Sequence, residues 1–167
     1  MTGNITLIAH TAANKKTPAV DLRPASPEDA ESLAQLYYSS YEQGGVSSLD
    51  EAREVVRGVF DGKYGPFLPD ASPVVVDDDG TVVAAALVLA RRIGDDLPDV
   101  PYIFELFTAA SRRRQGLAEQ LVRCAIGTLF DNGYDQVCLR ISEDNAAALA
   151  LYLTLDFNRW APETDYV

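Results

Sequence analysis

Two short stretches hold the residue types that chemistry needs. The first, "SRRRQGLAEQL" at 111–121, sets three arginines directly before a Gly-x-Ala step that runs into an amphipathic helix. The first turn of a helix presents unsatisfied backbone N–H groups at the positive end of its dipole. An anion is held more tightly there the closer it comes to the backbone. Gly116 and Ala118 keep side chains out of the way, while Arg112, Arg113 and Arg114 add charge, so the stretch has the makings of a pyrophosphate cradle at the end of a strand. Alone it is a weak signal, because arginines before a helix commonly face solvent. The second stretch, "NAAALALYLTLDF" at 145–157, puts Asn145 at a helix cap. Tyr152 sits seven residues on, about two turns along and on nearly the same face, so phenol and amide can line one groove.

These residues need a scaffold, and the rest of the chain supplies its elements. Residues 1–18 read as an arm, flexible or forming an edge strand through "ITLI"; residues 19–167 read as one domain. "AVDLR" at 19–23 is a first strand. Ser26 caps a helix with Pro27 at its first position and Asp29 at capping-box spacing, and Ala30, Leu33, Ala34, Tyr37 and Tyr41 form its buried stripe. Gly44 and Gly45 break that helix. Ser48 and Glu51 cap a second one, which buries Leu49, Ala52, Val56 and either Val59 or Phe60. "SPVVVDDDGTVVAAALVLARR" is a hairpin turning at Asp78, Asp79 and Gly80. A strand at 102–110, a helix from Gln115 to Phe130 stopped by Gly133, a strand "DQVCLRIS", the Asn145 helix and a last strand beginning "FNRW" complete the order β-α-α-β-β-β-α-β-α-β. The crossover over 102–141 requires parallel strands, so the sheet is mixed.

With both motifs and this order in hand, the chain resembles the GNAT-type N-acetyltransferase superfamily. Arg113-Arg114-Gln115-Gly116-Leu117-Ala118 matches that family's Q/R-x-x-G-x-G/A loop, and "NAAALALYLTLDF" matches its N-x-x-A-x-x-L-Y-x-x-x-G-F segment. The resemblance implies an α/β fold: a mixed, mostly antiparallel sheet of six to seven strands flanked by four helices. A V-shaped wedge opens between the fourth and fifth strands, counted from residue 19. It further implies transfer of acetyl from acetyl-CoA to a primary amine of a small molecule or peptide by direct attack. Leu106, Phe107 and Thr108 would offer main-chain contacts to pantetheine. Arg113, Arg114, Gln115, Gly116, Leu117, Ala118 and Glu119 would hold the pyrophosphate, Asn145 would bind the cofactor's arm, and Tyr152 would protonate the leaving thiolate. A second reading is a non-catalytic acyl-CoA-binding regulatory domain of the same fold. A nucleotide-binding module is disfavoured, because no Lys-Ser/Thr follows the glycine. Two departures stand out. Asp156 occupies the family's glycine position, where a left-handed backbone is needed. The tail after Trp160 leaves little room for a final strand, so an edge awaits another subunit, which makes a homodimer the expectation, or the N-terminal arm.

The attacking amine must lose a proton, since an amine of pKa ~10.4 is neutral to about one part in a few thousand at pH 7. Glu105, in the apolar run "YIFELF", is the best base available, and its pKa should be raised if it faces the site. The plain alternative is a glutamate on the strand's outer side. Tyr37, Tyr38, Tyr41 and Glu42 could bracket a cationic acceptor or simply pack the core. His10, alone in the arm, has no part in this chemistry. A formal charge of −11, from 14 basic and 25 acidic residues, argues against nucleic acid as a partner and favours cationic small molecules or peptides. No stretch is long and apolar enough for a membrane span, and no secretory signal opens the chain, so the expected place is the cytoplasm. Cys124 and Cys138 sit in apolar patterns and should be reduced and buried, and no metal site is expected.

Overall fold

The computed structural model of the chain describes residues 3–15, 20–40, 46–94, 96–113 and 115–161. Seven strands and four helices follow one another: β1 (Asn4–His10), β2 (Arg23–Pro24), α1 (Ala30–Ser40), α2 (Leu49–Asp61), β3 (Pro73–Val76), β4 (Val82–Leu89), β5 (Tyr102–Thr108), α3 (Leu117–Asp131), β6 (Gln136–Ser142), α4 (Ala146–Thr154) and β7 (Asn158–Trp160). All strands join one sheet in the order β2-β3-β4-β5-β6-β1-β7, and every neighbouring pair is antiparallel except β5–β6. This is the mixed, mostly antiparallel α/β architecture expected. The wedge strands, fourth and fifth from residue 19, are β5 and β6.

Local chemistry places each element. Glu51 donates its N–H to the Ser48 hydroxyl at 3.1 Å, and its carboxylate accepts from the N–H of Ser47, so the cap of α2 extends one residue further back than a simple capping box. Before α1, the Asp29 carboxylate accepts the Ser26 N–H at 2.9 Å and two bonds from the Arg23 guanidinium at 2.8 Å. The hairpin turns with Gly80 at φ +87°, where glycine is favoured, and Asp77 donates back to the Thr81 carbonyl. β4 is buried along its whole length, because helices cover both faces of the sheet there. On one face α1 and α2 pack Leu33, Tyr37, Val56 and Val59 against Leu87, Leu89 and Phe107. On the other, α3 and α4 pack Val122, Leu129 and Tyr152 against Leu7, Val137, Leu139 and Phe157.

Two placements differ from expectation. The strand read at 19–23 shortens to Arg23–Pro24, because Pro24 lacks the N–H a longer ladder would use. Residues 4–10 also take a different place from the edge strand or flexible arm expected. They lie inside the sheet, with β6 on one side (Leu7↔Leu139) and β7 on the other (Leu7↔Arg159). Alternation explains why: Ile5, Leu7 and Ala9 are all buried toward α3 and α4 while the residues between them turn the other way.

The Asp29 cluster yields a pH prediction. The Arg23 guanidinium and the Ser26 N–H hold the Asp29 carboxyl below its ordinary value of 3.8. A carboxyl lowered in the folded state adds stability above its unfolded value and loses it as pH falls through the folded one. Asp29→Asn should therefore cost about 1–2 kcal/mol at pH 6 in urea unfolding. The gap between variant and wild type should close as the pH is taken below 3.8 toward the folded value.

Candidate active site

The site begins where the sheet comes apart. β5 and β6 share one ladder pair, Tyr102↔Cys138, tied by the Cys138 N–H donating to the Pro101 carbonyl at 2.8 Å. Past that point they diverge. The register against β4 jumps from Leu87↔Glu105 to Val88↔Ile103, which leaves Phe104 as an extra residue on β5. A bulge of this kind bends its strand and steepens its twist. A cavity of about 300 Å³ opens between the two strands, and its lining includes Glu105, Leu106, Arg140, Ser142, Asn145 and Tyr152.

Four of those six were singled out from the sequence, and each is positioned for a visible reason. Tyr152 lies on the buried side of α4, 4% exposed, with its ring edge-on to Phe157 at 5.1 Å. Burial raises its phenol pKa above the ordinary value, and the charge of Glu105 adds to the rise. Phe157 is aimed by the helix end: Asp156 adopts φ +67°, its N–H donates to Leu153, and the Phe157 N–H reaches back to the Tyr152 carbonyl at 3.0 Å. These two bonds form a Schellman motif, so Asp156 delivers the left-handed turn that glycine usually supplies. Asn145 caps α4, its Oδ1 accepting the Ala148 N–H at 3.1 Å, which leaves its amide NH2 for other contacts. The bulge sets Glu105 beside Phe104 on the sheet face under α1. There the Glu105 carboxylate accepts the Tyr37 hydroxyl, and it lines the cavity instead of facing solvent. Burial first, and that carboxylate second, push the Tyr37 phenol well above its usual value. Leu106 lines the wedge directly. Phe107 turns its ring away to stack on Tyr37 at 5.6 Å, and Thr108 pairs with Ala84.

At the far end of β5, Gly116 caps α3 with φ +75°. A Cβ built there would meet nothing within 4 Å, so the space before the helix start is open. The N–H groups of the first turn, Leu117 to Glu119, precede the helix's own hydrogen bonds, the first of which runs from Gln120 to the Gly116 carbonyl at 3.2 Å. Two of the arginines have partners within the protein. Arg112 pairs with Asp77 on the hairpin, and Arg113 donates to the Ser40 carbonyl at 3.0 Å, a bond favoured by the negative end of α1. These bonds fasten the loop to its neighbours. Arg114 lies outside the described residues.

Elsewhere, Tyr38 is exposed, and Tyr41 and Glu42 fall outside the described residues. Cys124 and Cys138 are unpaired, and burial pushes the Cys138 thiol up to about 12. Among the described residues no cluster of His, Cys, Asp or Glu could hold a metal ion, and no helix is long and apolar enough to cross a membrane. Sequence reasoning missed Arg140 and the Tyr37–Glu105 bond. Arg140 looks like an ordinary outward residue of an alternating strand, and Tyr37 reads as core, so neither stands out without knowing where the strands part.

Splayed parallel strands, an open helix start at one end and a buried phenol at the other bound the candidate site. Comparisons with known proteins show the family. The family described as "Acetyltransferase (GNAT) family" matches residues 30–157. A mycothiol acetyltransferase of Thermobispora bispora is 30% identical over 133 residues, which is 80% of this chain and 43% of the relative. The fold matches a GCN5-related N-acetyltransferase from Sphaerobacter thermophilus with a TM-score of 0.71 at 15% identity, covering 96% of this chain and 49% of that one. It also matches the aminoglycoside N-acetyltransferase AAC(6')-Iy in complex with CoA, with a TM-score of 0.64 at 14% identity, covering 92% and 96%. The chain spans less than half the length of the curated relatives it matches. It belongs to the GNAT acetyltransferase family.

Proposed function

We propose that the protein transfers the acetyl group of acetyl-CoA to a primary amine by direct attack, with Glu105 taking the amine's proton and Tyr152 protonating the departing thiolate. The observation that carries this reading is the meeting of Glu105 and Tyr152 in one cavity at the point where β5 and β6 part. Acetyl-CoA supplies an activated thioester. The N–H groups opening α3 suit its pyrophosphate, the unpaired edge of β5 at Leu106 to Thr108 suits its pantetheine, and Asn145 can hold its arm.

The two roles support each other electrostatically. A phenol held above ~10 is a poor donor to a thiolate of pKa ~8.5, so proton transfer must accompany bond cleavage. The negative charge of Glu105 is one cause of the raised Tyr152 value. Once Glu105 accepts the amine's proton that charge is gone, and Tyr152 becomes a better acid as the thiolate leaves. Asp156 completes an ordinary Schellman turn, so α4 keeps its course, which supports the catalytic reading over the non-catalytic one.

Purified protein with acetyl-CoA and a panel of primary amines should release free thiol in step with amine consumed. Acetyl-CoA binding without thiol release across the panel would sink catalysis. Gly116→Val tests the cradle. It forces a β-branched residue to φ +75°, at a cost of about 1–2 kcal/mol, and places its methyls before the helix start. KM for acetyl-CoA should rise about tenfold or more; an unchanged KM would place the pyrophosphate elsewhere.

A further inference from the structure

The acceptor side of the wedge is more basic than so acidic a chain would suggest. Arg140 lines the wedge cavity together with Glu105, and it also lines an adjoining cavity of about 570 Å³ with Thr6, Asp96 and Trp160. Its Nε reaches the Thr6 hydroxyl at 3.4 Å, too long for a strong bond. Arg92 approaches from beyond the end of β4. It donates to the Tyr102 hydroxyl at 3.0 Å and stands 5.1 Å and 5.2 Å from the rings of Tyr102 and Phe104, the latter a wedge residue. These ring contacts fix its direction without neutralising its charge. Among the described residues, Arg23, Arg53, Arg112 and Arg123 each hold a carboxylate; of the arginines that hold none, Arg140 lines the wedge, Arg92 stands against its Phe104, and Arg159 joins Arg140 in the adjoining cavity. Arg140, which pairs with no carboxylate, and the ring-held Arg92, in a protein with 25 acidic residues, offer charge to an incoming anion.

We infer that the acceptor is an amine that carries its own carboxylate, as a free α-amino acid does, with Arg140 holding the carboxylate, Arg92 beside it, and the amine directed to Glu105. The inference rests on the acetyl-transfer reading above and supplies its substrate class. The charges match in order: the ammonium group faces the glutamate and the carboxylate faces the arginines, so one small zwitterion satisfies both. A polyamine or an aminoglycoside would set a second positive charge against Arg140, a repulsion that Arg159 in the adjoining cavity adds to and that Asp96 there offsets only in part.

The test compares amino acids with their own amides and decarboxylated amines, reading thiol release and, separately, the fluorescence of Trp160, the chain's one tryptophan, which lines the adjoining cavity. Amino acids should show kcat/KM about tenfold to a hundredfold above their amides, and a saturable fluorescence change that the amides lack at equal concentration. Arg140→Gln, at an exposed position that spares the core, should erase that preference by raising KM for the acids while KM for acetyl-CoA stays put. Arg92→Gln should act in the same direction. Amides accepted as well as acids, or Arg140→Gln raising KM for acetyl-CoA instead, would overturn the inference and assign the arginine to the cofactor. Absence of thiol release with every acceptor would overturn acetyl transfer itself. The fluorescence titration would then still show whether the carboxylate site exists.

Discussion

Removing residues 1–10 should leave a chain that does not complete its fold. Among the described residues β7 has no partner but β1 in the sheet, and one whole edge of β6 from Gln136 to Ser142 loses its ladder. The same deletion strips Ile5, Leu7 and Ala9 from the core beneath α3 and α4. Leu7 is fully buried, and truncating such a residue to alanine alone costs about 3 kcal/mol, a large part of the roughly 5–15 kcal/mol a domain has. Loss of near-ultraviolet circular dichroism with gain of dye binding is the expected result, and Leu7→Ala should show a smaller shift in the same direction. A synthetic peptide of residues 1–12 added in trans should restore part of the signal. A cooperative unfolding transition with an unmoved midpoint in the truncated chain would show that the strand is dispensable.

Tyr152→Phe should reduce turnover about a hundredfold while acetyl-CoA binding changes by less than about twofold. The substitution keeps the ring that packs edge-on against Phe157, so stability should hold or rise slightly, since no buried hydroxyl remains to be satisfied. In the variant, added small acids should recover some activity, and the rate should depend on the leaving-group thiol more steeply than in the wild type. Equal turnover by the two proteins would move the acid role to another group. Glu105→Gln should act on a different limb: its rate loss should be largest at low pH, where the amine is most fully protonated, and should shrink as pH rises toward the pKa of the amine supplied.

Much of this could be seen in the linear chain because its signals are local. Asn145, the stripe of α4, the Gly116 start of α3 and the Asp-Asp-Gly turn before β4 each declare themselves within a dozen residues, and the structure places all of them as elements accordingly. The crossover from β5 to β6 followed from the helix between them. What escaped depends on pairing across long separations. Nothing near "ITLIA" says that its partners are residues 136–142 and 158–160, so an interior strand reads as an arm. The bulge at Phe104 is equally silent, because it exists only relative to β4. It decides where Glu105 points, and so a sequence that offers the glutamate as a base leaves its orientation open. The partners of Arg112 and Arg113, Asp77 and the end of α1, are also hidden in the arginine run itself, because both lie far off in sequence.

The interior position of β1 also sets an order of events during biosynthesis. Of the described strands it leaves the ribosome first, yet both of its ladders wait for segments made more than a hundred residues later. At ordinary translation speeds the wait is on the order of ten seconds, during which an apolar strand has two open edges and nothing native to pair with. The hairpin of β3 and β4 with α1 and α2 can assemble early, but the sheet can only be sealed after synthesis of Trp160, when the oldest strand slides between two of the youngest.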